Sequence, residues 1–357
     1  MLMDNGTEQA AGIRHMEFYV PETRYSMREY ARVKPAEFTQ ESLEQTWRDI
    51  AIEPEILFRY FSGQIAGGRD NFAVPREAEV EKFERQSGIT GVYCAGNENS
   101  SDMAVRVGRQ VLDNEPGLAK SIDAVICYHS TINEMASWST ACRVQYDLGL
   151  KQAYAFTVSQ KAGNASLMAL KVACDLLSTE PDLNTLLLVG AEKLVPPYRR
   201  VFGKMTAVGD SASAMVLSRG GAECKPLCFR MRDFPEWWNP DQYDSFRMAT
   251  LIDFLAEQAT ILTHQVLDDL NLGREAVALF ILSNFSLALN RRVGEKAKIP
   301  PEKIYSENIS RFGHLLNSDL VVNLSTVRRE GKVKSGDLVL VLNVGLGLSL
   351  GCAAIRI

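Results

Sequence analysis

Ala153-Tyr-Ala-Phe-Thr-Val-Ser-Gln-Lys-Ala-Gly-Asn-Ala-Ser-Leu-Met-Ala-Leu170 decides how this chain folds. It reads as a buried strand, a tight polar turn and a helix whose first turn begins near Ala162 or Gly163. Through Ser166–Leu177 only Lys171, Asp175 and the opening serine are polar. A helix apolar on nearly every side is buried on nearly every side, which puts this one between two sheets. Orphan backbone N–H groups and the helix dipole converge at such a strand-to-helix junction. There a fold lowers a thiol's pKa or stabilises an oxyanion. The residue at that place is alanine, so the junction has an enzyme's geometry without its nucleophile.

Outward from this segment, three apolar runs share one rhythm of strand and small-residue turn: Ile122–His129, Thr185–Glu192 and Val277–Asn284. Continuous apolar strands alternating with helices indicate a parallel or mixed sheet covered on both faces. The third run lies in the other half of the chain and echoes the first, which suggests an internal duplication. Leu251, Phe254, Leu255, Ile261, Leu262, Val266 and Leu270 form one stripe of an outer, amphipathic helix, with Asp253, Glu257 and Asp268 opposite. A sandwiched helix plus an outer one implies more than three layers. Leu338–Ile355 imitates a membrane span, but its three glycines, Asn343 and Ser349 make it strand, turn and strand. Residues 27–87 are rich in Glu and Arg and read as a helical insertion or cap over the sheet edge. We divide the chain into an N-terminal half, 1–220, and a C-terminal half, 221–357.

Composition narrows the function. The 357 residues are 46% hydrophobic and 23% charged with a formal net charge of −5, which suits a soluble globular protein and argues against nucleic acid as partner. The seven cysteines lack disulfide or zinc spacing, and Cys224 and Cys228 are a lone pair, so no metal is expected. The N-terminus lacks the basic and apolar regions of a signal peptide, and the expected compartment is the cytoplasm, away from membranes.

At this point the residues resemble a known family. The strand, turn and helix at 153–177 look like the nucleophile segment of β-ketoacyl-ACP synthase III and its relatives in the thiolase superfamily. Val208-Gly-Asp-Ser-Ala-Ser-Ala-Met-Val-Leu217 is similar to a Gly-Asp-Gly-Ala-Gly-Ala strand motif, and Asn343–Arg356 to the family's glycine-rich C-terminal hairpin. Phe18–Glu22 looks like its first strand and Ser87–Ile89 its following turn. The resemblance covers most of the chain outside 27–87. It implies a five-layered αβαβα thiolase-like fold of two similar halves, and a dimer. It also implies acyl thioesters of CoA, or of the phosphopantetheine of an acyl carrier protein, as substrates, with no permanently bound cofactor.

Carried over one at a time, the family's roles fall as follows. The nucleophile position is Ala162, with Gly163 its rival, and neither is acylated. The chain is therefore either an engineered Cys→Ala form or one that has lost the cysteine naturally. Ser159 and Ser166 are weaker substitute nucleophiles. The family histidine is absent from Ser283-Asn-Phe-Ser286, leaving Ser283 and Asn284 as polar candidates. The family asparagine falls on His314, a general base for the incoming acceptor. The oxyanion hole is assigned to backbone N–H groups of Ala162, Gly345 and Leu346. Arg199, Arg200 and Lys204 form a basic cluster for a carrier protein or a CoA phosphate. The expected function is an acyltransferase or condensing enzyme of the synthase III type in specialised, polyketide- or fatty-acid-like metabolism. The alternative is a non-acylating partner subunit of a heterodimeric ketosynthase-like complex.

Overall fold

The structure, a computed structural model, describes residues 11–33, 77–131, 138–194, 200–202, 205–220, 222–239 and 245–357. One five-stranded sheet is made of β1 (Ala11–Tyr19), β4 (Ala124–His129), β5 (Tyr154–Ser159), β6 (Thr185–Glu192) and β9 (Ser211–Arg219), in the order β1-β9-β6-β4-β5. Beside it, β2 (Arg24–Ser26) pairs with β3 (Gly91–Tyr93), and β7 (Val201–Phe202) with β8 (Thr206–Ala207). The other five-stranded sheet holds β10 (Lys225–Asp233), β11 (Val277–Leu282), β12 (Ile304–Tyr305), β13 (Leu338–Gly345) and β14 (Ser349–Arg356), in the order β10-β14-β13-β11-β12. The sheets correspond strand for strand. In each, the central strand is parallel to one neighbour and antiparallel to the other: β6 to β4 and β9, β13 to β11 and β14.

Nine helices occur among the described residues, and their burial defines the layers. Helices α1 (Met27–Val33) and α2 (Glu77–Ser87) pack with Ile89, Val92, Ala207 and Ile309 at one edge. Helices α3 (Ser100–Leu112) and α4 (Thr140–Asp147) cover the outer face of the first sheet. Between the sheets lie α5 (Ala165–Thr179) and α9 (Asp319–Arg329), whose Leu167, Leu170, Leu320 and Leu324 share one core with Ile126, Leu188, Ile281 and Val341. Fully burying a side chain such as Leu167 contributes about 1.5–3 kcal/mol. Helices α6 (Ser245–Asp269) and α7 (Leu287–Ala297) cover the outer face of the second sheet, and α8 (Glu307–Phe312) leads towards α9. The result is the expected five-layered αβαβα order.

Two boundaries shift from the sequence reading. The first strand runs from Ala11, because its pairing with β9 begins at Ala11↔Arg219, so Phe18–Glu22 covers only its end. In the Gly-Asp motif the strand begins at Ser211, since Val208 and Gly209 turn aside to meet the loop carrying His314. Leu338–Ile355 is indeed a hairpin, and among the described residues no helix is long and apolar enough to cross a membrane. Most of the 27–87 segment, residues 34–76, lies outside the described residues.

Candidate active site

Five chain segments meet at one rim of the two sheets: the end of β4, the β5–α5 turn, the end of β11, the loop 313–318 and the β13–β14 turn. In the second of these, Gln160 (φ 61°) and Ala162 (φ 43°) occupy the left-handed region that favours glycine. Each such residue costs about 1–3 kcal/mol and persists only where its surroundings over-determine it. The surroundings here are polar and specific. Ser130 Oγ donates to Ala162 O at 2.5 Å, Asn343 Nδ2 to Gly163 O at 3.2 Å, and the Ser166 N–H to Asn317 Oδ1 at 3.0 Å. Gly345 closes the turn from the other half. A Cβ there would lie 3.2 Å from Ala162 Cβ and collide with the Lys161 carbonyl, so only glycine allows the approach.

His314 stands beside this turn. A Cβ on Gly163 would sit 3.6 Å from its Cε1. The imidazole is buried, and Phe285 packs edge-on against it at 5.7 Å. Its Nδ1 lies 2.6 Å from Asp319 Oδ2, and Gly209 N–H holds its carbonyl at 2.9 Å. Asp319 opens α9, where the helix dipole favours a negative charge. Its Oδ2 also accepts the Asn284 N–H at 2.7 Å, and its Oδ1 the Leu315 N–H at 2.8 Å. With donors on both oxygens, the carboxylate is the acceptor and Nδ1 carries the proton. That assignment, made from the network, leaves the Nε2 lone pair free to take a proton. The pair is a buried histidine–aspartate dyad.

Asp319 went unassigned at the sequence level, although it closes the segment that carries His314. Its signal was an acidic residue at the start of an apolar helix, five residues after a candidate base. Ser130, Asn317, Asn343 and Glu192 were missed as well. Glu192 is fully buried at the end of β6 and accepts from Ser130 N, Thr131 N and Oγ1, and Asn317 Nδ2. Burial pushes its carboxyl above the ordinary range, against the lowering by Asn317, His129 and Thr131.

The other candidates separate. The Asn284 side chain turns to Asn323, whose Nδ2 donates to its Oδ1 at 3.0 Å, so only the backbone of Asn284 reaches the dyad. Ser283 is buried, and its hydroxyl has no hydrogen-bond partner among the described residues. Leu346 is half-buried in the turn beside Gly345. Ser159 is exposed, whereas Ser166 is buried in the first turn of α5. Arg200 corrects the proposed basic cluster. It is buried, with Nη2 2.7 Å from Asp210 Oδ2 and further bonds to the Val208 and Leu194 carbonyls, so its charge is neutralised inside the fold. Arg199 and Lys204 lie outside the described residues. Among the described residues no group of three or more His, Cys, Asp or Glu is placed to hold a metal.

Comparison with known proteins agrees with this architecture. Residues 267–357 match the family model of the 3-oxoacyl-[acyl-carrier-protein (ACP)] synthase III C-terminal region. The β-ketoacyl-[acyl-carrier-protein] synthase III of Clostridium perfringens (strain 13 / Type A) is 26% identical over 307 residues, 79% of this chain and 92% of that protein. The crystal structure of 3-oxoacyl-[acyl-carrier-protein] synthase III from Aquifex aeolicus VF5 superposes with a TM-score of 0.74 at 22% identity, covering 98% of this chain and 100% of that one. ChlB3, described as an acyltransferase, gives 0.75 at 19% identity, with 98% of each chain covered. At these identities the superpositions show that the chain shares the fold of those solved structures, with its paired five-stranded sheets. By sequence the chain is similar to β-ketoacyl-ACP synthase III proteins, over its C-terminal region in the family model and over 79% of its length in the Clostridium perfringens relative.

Proposed function

We propose that this chain transfers acyl groups from CoA or acyl-carrier-protein thioesters to an acceptor in specialised metabolism, in the cytoplasm and without a bound cofactor. The observation that carries this reading is the buried His314–Asp319 dyad, 2.6 Å between Nδ1 and Oδ2, beside a strained turn with no nucleophile at Ala162. Transfer is then direct. His314 Nε2 removes the proton from the acceptor's hydroxyl, amine or thiol as that atom attacks the thioester carbonyl. The oxyanion is held by backbone N–H groups at Ala162 and at Gly345 or Leu346. When the C–S bond breaks, the imidazolium returns its proton to the leaving thiolate. Ser283 supplies a hydroxyl to the pocket wall, and Arg199 and Lys204 remain the proposed contacts for a carrier protein or CoA phosphate. The halves 1–220 and 221–357 each contribute one wall. The chain acts as a homodimer, a reading supported by β5, which lies at the edge of its sheet with Tyr154 47% exposed.

Installing the thiol tests the site. Ala162→Cys is expected to accumulate a covalent acyl adduct on incubation with short acyl-CoA thioesters, read by intact-mass measurement. A folded variant that gains no acyl mass from any thioester would rule out position 162 as a thioester site. A second reading, a non-acylating subunit of a heterodimer with an active homologue, is favoured by Ala162 alone. Co-purification with a second thiolase-like chain, and activity that survives His314→Ala, would select it.

A further inference from the structure

Ser130, just past the end of β4, is joined to the β5–α5 turn by a chain of hydrogen bonds whose directions are all determined. Glu192 anchors the chain: the Ser130 and Thr131 N–H groups donate to its carboxylate, as does the Thr131 hydroxyl, whose oxygen accepts from the Lys193 N–H. Asn317 must therefore present its amide nitrogen to Glu192, at 2.5 Å, and the same nitrogen donates to Ser130 Oγ at 2.7 Å. Its amide oxygen, turned the other way, accepts the Ser166 N–H at 3.0 Å, which agrees with that orientation. Ser130 Oγ, already accepting from Asn317, sends its single proton to the Ala162 carbonyl at 2.5 Å. That carbonyl belongs to the residue with the strained φ of 43°, and its peptide plane carries the Gly163 N–H, so fixing it sets that donor directly and the Ala162 N–H through the Ala162 backbone. Asn317 also lies between His314 and Asp319 in sequence, so the relay ties the turn to the loop of the dyad.

We infer that Ser130 is a positioning residue of the acyl site, its hydroxyl locking the Ala162 peptide so that the backbone donors stay aimed at the reacting group. The inference deepens the proposed function and names its device for holding the turn without a nucleophile. Ser130 reaches the reaction only through Ala162. Loss of the hydroxyl removes one strong bond and leaves every ionisable side chain around the site in place: Glu192, His129, His314, Asp319 and Lys161. Angular errors of this kind are costly, since a displacement of about 1 Å away from productive geometry lowers rates by about 10²-fold.

The test reads the turn with a thiol and needs no thioester. In the Ala162→Cys background, alkylation of the introduced thiol by iodoacetamide is followed against pH by peptide mass spectrometry. The native cysteines interfere little, because burial pushes Cys127, Cys174 and Cys352 up to about 12 and Cys224 and Cys228 up to about 11, Cys94 is buried, and Cys142, which is exposed, is mapped separately. Ser130→Ala is expected to move the midpoint of the introduced thiol up by about one pH unit, as the N–H donors that stabilise the thiolate lose their aim. Ser130→Thr, which keeps the hydroxyl, is expected to retain the parent profile. A Ser130→Ala profile that superimposes on the parent's overturns the inference, as does an equal shift in the alanine and threonine variants. Should Ser130→Ala not fold, the threonine comparison stands against Ser130→Cys, whose weak S–H donor is expected to give an intermediate midpoint. An unshifted midpoint there counts equally against the relay. An Ala162→Cys protein that resists acyl-CoA yet shows these shifts refutes the thioester reading and leaves Ser130 in its role.

Discussion

Replacing His314 by alanine lowers acyl transfer by about 10²–10⁴-fold, the range that a positioned general base supplies. The expected loss falls on kcat more than on KM, because the imidazole is buried beside Gly163 and acts on the acceptor's proton rather than on the thioester's remote parts. Asp319→Asn produces a comparable loss by another route. Both carboxylate oxygens face N–H groups, from Asn284 and His314 on one side and Leu315 on the other. An amide of the same shape must turn its own N–H₂ towards one of them. Turned to His314, it makes Nδ1 an acceptor and moves the proton to Nε2, which abolishes the base by selecting the wrong tautomer. The measurement is acceptor-dependent release of free CoA thiol. Equal rates for the native protein and both variants would exclude the dyad from the chemistry.

Asp210→Ala carries the largest expected cost in stability, about 3–5 kcal/mol, because it leaves a buried guanidinium without its counter-charge. The Arg200 side chain is 7% exposed and that of Asp210 is 0% exposed, with 2.7 Å between them. Asp210 further accepts the Ala95 N–H at 2.7 Å and the Leu194 N–H at 2.8 Å, so its loss also orphans two backbone donors. Denaturant unfolding should show the midpoint falling with little change in slope. Arg200→Met combined with Asp210→Leu, which removes both charges, should recover much of the loss. A single alanine variant with the native midpoint would mean that water reaches the guanidinium.

The fold was legible where burial leaves few alternatives. Thr185–Glu192 and Leu338–Gly345 are apolar because both faces of their sheets are covered, and the strands lie where those runs lie. The helix from Ala165 reads as sandwiched because, through Leu177, Ser166, Lys171 and Asp175 alone interrupt its apolar surface. The candidate site was legible only in part. Ala162 and His314 stand in segments whose shape shows in the sequence, a strand-to-helix turn and a polar loop between apolar stretches. Asp319, Ser130, Asn317 and Glu192 did not stand out, because each is a common polar residue whose role exists only once a partner up to 187 positions away is brought beside it. Arg200 failed in the opposite sense. Beside Arg199 it looks like a surface charge, and only the buried Asp210 ten positions on reveals an internal pair.

The apolar cluster around α5 and α9 draws on Ile13, Ile126 and Leu188 from one sheet and on Ile281, Val341 and Ile355 from the other. Neither half can therefore be melted while its companion stays whole, for each would bare the wall that the other needs dry. Heating should accordingly give one sharp endotherm, and severing the backbone near 220 should yield fragments that precipitate apart and recover solubility only when refolded together.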